Sequence, residues 1–207
     1  MSQFIESIKV EDQKIHLLEL HQQRVNQTFE QFSNATPFSI EELFKSLDLD
    51  DNGLFKFRIT YDTNSYIRTQ LIPYAIAEIE SFELIEAPDL DYSYKYEDRS
   101  KLVSLKEKSR KDEIIITQNS FVTDSTFSNL IFLKNEKWYT PTTYLLNGVQ
   151  RQNLLSKGLI QETEISRDNL KEYSHFQLIN AMIDLQTSFI YPIELLKNNR
   201  PIDELGD

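Results

Sequence analysis

The sequence predicts an α+β fold. Strand-like and helix-like runs both occur along the whole chain, and they do not alternate in the β-α-β rhythm of a parallel sheet. Two strand-like runs are also joined by a short polar turn, as in an antiparallel pair. The opening QFIESIKV alternates and reads as a strand, followed by the turn-like EDQK. Leu17, Leu18, Val25, Phe29 and Phe32 recur at helical spacing through LLELHQQRVNQTFEQF. SIEELFKSL opens on Ser39 with Glu42 three residues later, a capping-box pattern that starts a short helix. LFKFRITYD and SYIRTQLIPYAI read as strands paired across Asp62 to Asn64. The stretch from Glu86 to Ser93, which contains Pro88, reads as a linker. It divides an N-terminal α/β domain (residues 1–88) from a C-terminal domain (residues 89–207). The second half then predicts a charged helix in EDRSKLVSLKEKSRK, strands in EIIIT, SNLIFL and KWYT, and a helix near VQRQNLLSK. A strand in LIQETEI, a short helix from Ser166 and a strand in FQLINAM complete it.

Composition narrows the function. The chain has 207 residues, enough to bury a sizeable core, and no cysteine, so disulfides, thiolate metal sites and a cysteine nucleophile are all excluded. A formal net charge of −11 opposes a nucleic-acid surface, which needs a basic patch. No secretory pattern opens the chain and no apolar stretch is long enough for a membrane helix, so a cytoplasmic protein is expected. An anionic ligand would require a local positive site built against the global charge.

Several motifs fail on their spacing. Asp48, Asp50, Asn52 and Gly53 match the first half of a calcium-binding EF-hand loop, but its closing glutamate position falls on Ile59, and no metal is expected. His16, His21 and His175 are not at metal-ligand spacing from one another or from acidic residues, and there is no nucleophile elbow or glycine-rich phosphate loop. What remains is a set of basic and polar residues in marked places. Arg24 sits in HQQR, and Lys95 in SYKYEDRSK among tyrosines. Gly148 stands immediately before a helix, whose first amides, Val149 and Gln150, would be free to bind phosphate. Asp124 and Asn129 interrupt the β-like SFVTDSTFSNLIFL, where an unpaired polar group is costly.

In this order, HQQR, KYEDR, VTDSTFSN, YTP (Tyr139 to Pro141) and NGVQR resemble the class IV aminotransferase family, the fold-type IV pyridoxal-phosphate enzymes, over nearly the whole chain. The resemblance implies a two-domain fold whose C-terminal half binds pyridoxal 5'-phosphate. It implies that Lys95, with Arg99 four residues on, forms the Schiff base with the cofactor and then moves the substrate's proton. Tyr92, Tyr94 and Tyr96 around it would lower its pKa by desolvation. Asp124 takes the place of the family's acidic residue against the pyridine nitrogen, one methylene shorter than the usual Glu, and Asn129 matches the amide that follows it. Arg24 and the amides of Val149 and Gln150 match the phosphate site. Arg58 corresponds to a basic residue near the substrate, and the backbone of Ala181 and Met182 to the loop that receives the substrate carboxylate.

The family includes branched-chain aminotransferases, D-amino-acid aminotransferases and 4-amino-4-deoxychorismate lyase. The compact chain and the NAM loop favour the lyase, acting on a small anionic amino-substrate. Transamination of a branched-chain or D-amino acid is the second expectation, and a non-catalytic family member the third. Typical members carry a further N-terminal segment ahead of FIESI, so the sequence reads as N-terminally shortened. The resemblance also implies a homodimer with active sites near its interface.

Overall fold

The computed structural model describes residues 2–47 and 52–197; Asp48 and Asp50 of the rejected calcium motif lie outside them. Two sheets organise the chain in a mixed α/β fold. The smaller sheet is antiparallel with strand order β2-β1-β3-β4. Its strands are β1 (Phe4–Glu11), β2 (Lys14–Ile15), β3 (Leu54–Tyr61) and β4 (Ile67–Pro73). Asp12 and Gln13 close the first hairpin with positive φ at both positions, the backbone twist that a two-residue hairpin needs. The β3–β4 turn is organised by Asp62, whose carboxylate accepts from the amides of Asn64, Ser65 and Tyr66 at 2.9–3.1 Å.

Helices α1 (Leu18–Phe32) and α2 (Ile40–Lys45) complete this half. Ser39 caps α2, its hydroxyl accepting from the Glu42 amide at 3.2 Å, as the spacing predicts. Val25 and Phe29 of α1 pack onto Phe4, Ile8, Phe57, Ile59 and Tyr61 of the sheet. Burying side chains of this size stabilises by about 1.5–3 kcal/mol each. All these strand residues share one face, so the alternate residues of β1 and β3 face the other way. That second face becomes a wall of the cavity described below.

The larger sheet has eight strands. They are β5 (Phe82–Glu86), β6 (Glu113–Gln118), β7 (Phe121–Ser125), β8 (Asn129–Lys134), β9 (Lys137–Pro141), β10 (Gln161–Thr163), β11 (His175–Ile179) and β12 (Tyr191–Pro192). β5 and β10 pair in parallel with β6 and β9, and the other ladders are antiparallel. Three helices accompany it, α3 (Ser100–Glu107), α4 (Val149–Ser156) and α5 (Glu194–Lys197), with a 3-10 turn at Leu170–Glu172. β6 is buried on both faces: Ile115 meets Phe82, Val122, Phe132 and Phe176, while Ile114 and Ile116 meet Leu90, Leu102 and Leu145. This is why Ile114 to Ile116 form an unbroken apolar run rather than an alternating one. Among the described residues, no helix is long and apolar enough to cross a membrane.

Strands β2, β5 and β12 and helix α5 were not expected from the sequence. β5 already belongs to the larger sheet, so the chain changes sheets between Pro73 and Phe82. The 86–93 stretch then carries it back to the smaller sheet. There the Ile5 amide donates to Lys95 O at 2.9 Å and the Glu97 amide to Gln3 O at 2.8 Å. Lys95 is thereby fixed against the edge of β1, between the two sheets.

Candidate active site

A cavity of roughly 240 Å³ opens between the two halves. Its first wall is the open face of the smaller sheet, with Ile5 and Ser7 of β1 and Lys56 and Arg58 of β3. The opposite wall comes from three connections of the larger sheet: 124–129 between β7 and β8, 145–149 leading into α4, and 180–182 after β11. Of the sequence-predicted residues, Arg24, Arg58, Lys95, Asp124, Asn129, Val149, Ala181 and Met182 all line this space. Gln150 does not; it is buried one residue further into α4.

Lys95 meets the cavity in a cationic setting. Burial first, and then the positive charge of Arg24, push its amine down from 10.5 to about 7, with Arg99 and Arg58 adding to the effect and Glu6 opposing it. Arg24 is itself buried and held on its inner edge. Its Nε donates to Glu6 Oε1 at 2.8 Å and its Nη2 to Glu6 Oε2 at 2.5 Å, a bidentate pair that leaves the outer edge of the guanidinium for a ligand. Burial alone would raise the Glu6 pKa, but Arg24 and His21 overcome it and hold the carboxylate at about 2. His21 Nδ1 lies 2.6 Å from Glu6 Oε2. Burial lowers the His21 pKa against the pull of Glu6; an ionised carboxylate can only accept, so Nδ1 donates to it.

Neither Glu6 nor His21 was singled out from the sequence as a site residue. The signals were present: Glu6 falls on the same strand face as Phe4 and Ile8, and His21 stands three residues before Arg24, on the same side of the helix.

Asp124 answers the question of its polar segment. It is buried, and burial raises its pKa from 3.8 to about 6 despite three donors. Oδ2 accepts from the Leu146 and Leu145 amides at 2.9 and 3.1 Å, and Oδ1 from Asn129 Nδ2 at 2.8 Å. A carboxylate has about four acceptor positions, so one remains for a further donor in the cavity. Asn129 also donates to Leu146 O at 2.8 Å, tying the two connections together.

α4 begins at Val149 with no side-chain cap, so its first amides are available to an anion. The helix can start there because Gly148 has no side chain: a Cβ would lie 2.1 Å from Asn129 Oδ1. Gly148→Ala must displace an asparagine fixed by two hydrogen bonds. It is expected to cost about 1–3 kcal/mol, as overpacking does, read as a lower melting temperature than wild type.

The 180–182 loop, expected to receive the substrate carboxylate, is only partly open. The Met182 amide is already committed to Asn180 Oδ1 at 2.8 Å, so its expected role as a carboxylate donor requires Asn180 to turn away. Asn180 is in turn anchored to Ser128 Oγ at 2.9 Å. Arg58 faces Glu97 at 3.4 Å and is only loosely paired.

These residues suit the cofactor that class IV aminotransferases typically use, pyridoxal phosphate. Arg24's outer edge and the uncapped α4 terminus match a phosphate, Asp124 keeps one acceptor position for a ring N–H, and Lys95 supplies an amine that is half neutral near pH 7.

An uncharacterised protein of Haemophilus influenzae is 34% identical over 186 residues, covering 88% of this chain and 98% of that one. A solved structure from Haemophilus somnus 129PT, described as a "putative 4-amino-4-deoxychorismate lyase", is 33% identical with a TM-score of 0.83, covering 89% of this chain and 98% of its own. The branched-chain aminotransferase of Thermoproteus uzoniensis shares the fold at 15% identity and a TM-score of 0.75, over 97% of this chain and 81% of its own. The family model for amino-transferase class IV matches residues 3–187, a span that includes every residue lining the cavity, and the chain belongs to that family.

Proposed function

We propose that the protein is a pyridoxal-phosphate-dependent lyase that converts 4-amino-4-deoxychorismate to 4-aminobenzoate and pyruvate, a step toward folate. The observation that supports an enzyme most directly is the convergence of Lys95, Asp124, Arg24 and the α4 terminus on one cavity. The lyase is favoured by the description of the Haemophilus somnus structure and by a Schizosaccharomyces pombe protein described as a "putative aminodeoxychorismate lyase". The latter is 36% identical over 76 residues, about a third of each chain.

When bound, the cofactor supplies an electron sink for the carbon that carries the amino group. Arg24 and the Val149 amide hold the phosphate end, and Asp124 holds the ring nitrogen. Lys95 Nζ would be the amine that holds the cofactor's carbonyl carbon. It would also serve as the base that takes the proton from the amine-bearing carbon and as the acid that returns one to the departing enol, the precursor of pyruvate. An amine with a pKa of about 7 can do both near neutrality, since neither form is scarce.

The test begins with the visible spectrum of the protein with added pyridoxal phosphate, before and after borohydride. A band that borohydride removes, with the label recovered on the peptide containing Lys95, is expected. 4-Aminobenzoate release is then assayed against amino transfer to a keto acid. Transfer without release would replace the lyase with an aminotransferase, and no band under any condition would leave a non-catalytic family member.

A further inference from the structure

The face of the smaller sheet that turns away from α1 is strongly basic where it meets the cavity. Phe57, Ile59 and Tyr61 of β3 point into the core, so Lys56 and Arg58 point the other way, and both line the cavity. Lys56 lies directly across from Lys9 of β1, and Arg58 across from Ser7. Like charges opposed on neighbouring strands destabilise a sheet. Lys9 is neutralised by Glu11 at 2.9 Å. Lys56 is not: among the described residues no carboxylate is within ion-pairing distance of it. Its ammonium rests over the Tyr74 ring, 5.5 Å from the centroid, a weak hold for a cation. A chain with a net charge of −11 has carboxylates in excess, and it keeps this lysine from them.

Position along the strand separates the two cations. Lys95 is anchored at Ile5, which is paired with Thr60. Arg58 is two residues and Lys56 four residues further along β3, about 7 and 13 Å at the usual strand rise. We infer that Lys56, with Arg58 nearer the reacting amine, forms a second anion subsite that selects substrates carrying a carboxylate remote from the amino group. The assignment of the near end rests on Lys95 as the reacting lysine; the subsite itself does not. An aliphatic side chain placed there would desolvate the Lys56 ammonium with nothing in return, so the same residue discriminates against branched-chain amino acids.

Two paired comparisons test it in wild type, Lys56→Met and Lys56→Arg. With the cofactor-loaded protein, 2-aminoadipate is titrated against norleucine, which has the same chain length and no distal carboxylate. With the cofactor-free protein, adipate is titrated against hexanoate by calorimetry. Wild type is expected to prefer the dicarboxylate of each pair. Lys56→Met should weaken dicarboxylate binding by at least about tenfold and leave the monocarboxylate unchanged, and Lys56→Arg should restore the preference. Failure of the cofactor to bind would remove the proposed enzyme but leave the adipate comparison to decide the subsite. Equal preference in wild type and Lys56→Met in both pairs would overturn it, as would the absence of any preference in wild type.

Discussion

Lys95→Ala is expected to lower turnover by at least about 10³-fold, because under the proposed function one substitution removes both the covalent attachment point and the group that moves the proton. The borohydride-reducible band should vanish with it, while circular dichroism stays that of the wild type. Attachment of the cofactor to wild-type protein should accelerate as pH rises through about 7 and then level off, since only the neutral amine reacts. The sign for stability is separate. The folded amine releases its proton near 7 and the unfolded one near 10.5, so the unfolded chain binds more protons between those values and stability rises with pH across that window. Below about pH 7 the full cost of a charged, buried Lys95 is present. Lys95→Ala removes that cost, so the cofactor-free variant should melt above wild type at pH 6 and converge on it toward pH 10.5. A variant that keeps its turnover, or that melts lower at pH 6, would show that the amine is not held in this setting.

Glu6 gives a second handle on the same amine. Its negative charge works against Arg24 and raises the Lys95 pKa, so Glu6→Gln should move the midpoint of the attachment rate below that of wild type.

The fold was legible where local pattern decides it. The Ser39 cap, the Asp62 turn and the helical spacing of Val25 and Phe29 each rest on residues within a few positions, and each produces the element it predicts. β5 was not legible because its pairing is parallel and non-local: Phe82 aligns with Glu113 across an intervening helix. Five residues of modest alternation do not announce such a partner. At the site, the residues that the family pattern marks were named from sequence, and the structure brings all but Gln150 to one cavity. What the pattern did not reveal was the buried support behind them. Glu6 reads as a polar residue in a strand until α1 brings Arg24 and His21 onto it. Lys56 reads as a surface lysine until the larger sheet covers its face. Both are consequences of packing between elements far apart in sequence.

Asp124→Ala is expected to cost about 2–4 kcal/mol of stability, since it leaves the Leu145 and Leu146 amides and the Asn129 amide group without their acceptor in a buried site. Cavity water can replace part of that loss, which keeps the figure below the sum for three orphaned donors. Turnover should fall by about 10²–10³-fold, the usual size for removing a fixed group that stabilises charge in the reaction. Asp124→Asn separates the two effects poorly, because its NH₂ would have to face groups that already donate. Asp124→Glu is the informative partner: it restores a carboxylate and should recover more activity than alanine does, though it must disturb the two backbone bonds. The acid side of the stability profile follows from two opposed carboxylates. Asp124 holds its proton up to about pH 6 when folded and 3.8 when unfolded, so its share of stability falls as pH rises between those values. Glu6 releases its proton near 2 when folded and 4.5 when unfolded, so its share is complete above about 4.5 and is lost as pH falls toward 2. Cofactor-free wild type should therefore lose stability on both sides of a maximum between about pH 4 and 5, apart from the later rise due to Lys95. Asp124→Ala should abolish the decline between about 4 and 6 and keep the acid limb set by Glu6. If the decline persists in that variant, the carboxylate is not buried as the three hydrogen bonds imply, and its proposed place against the ring nitrogen loses its physical basis.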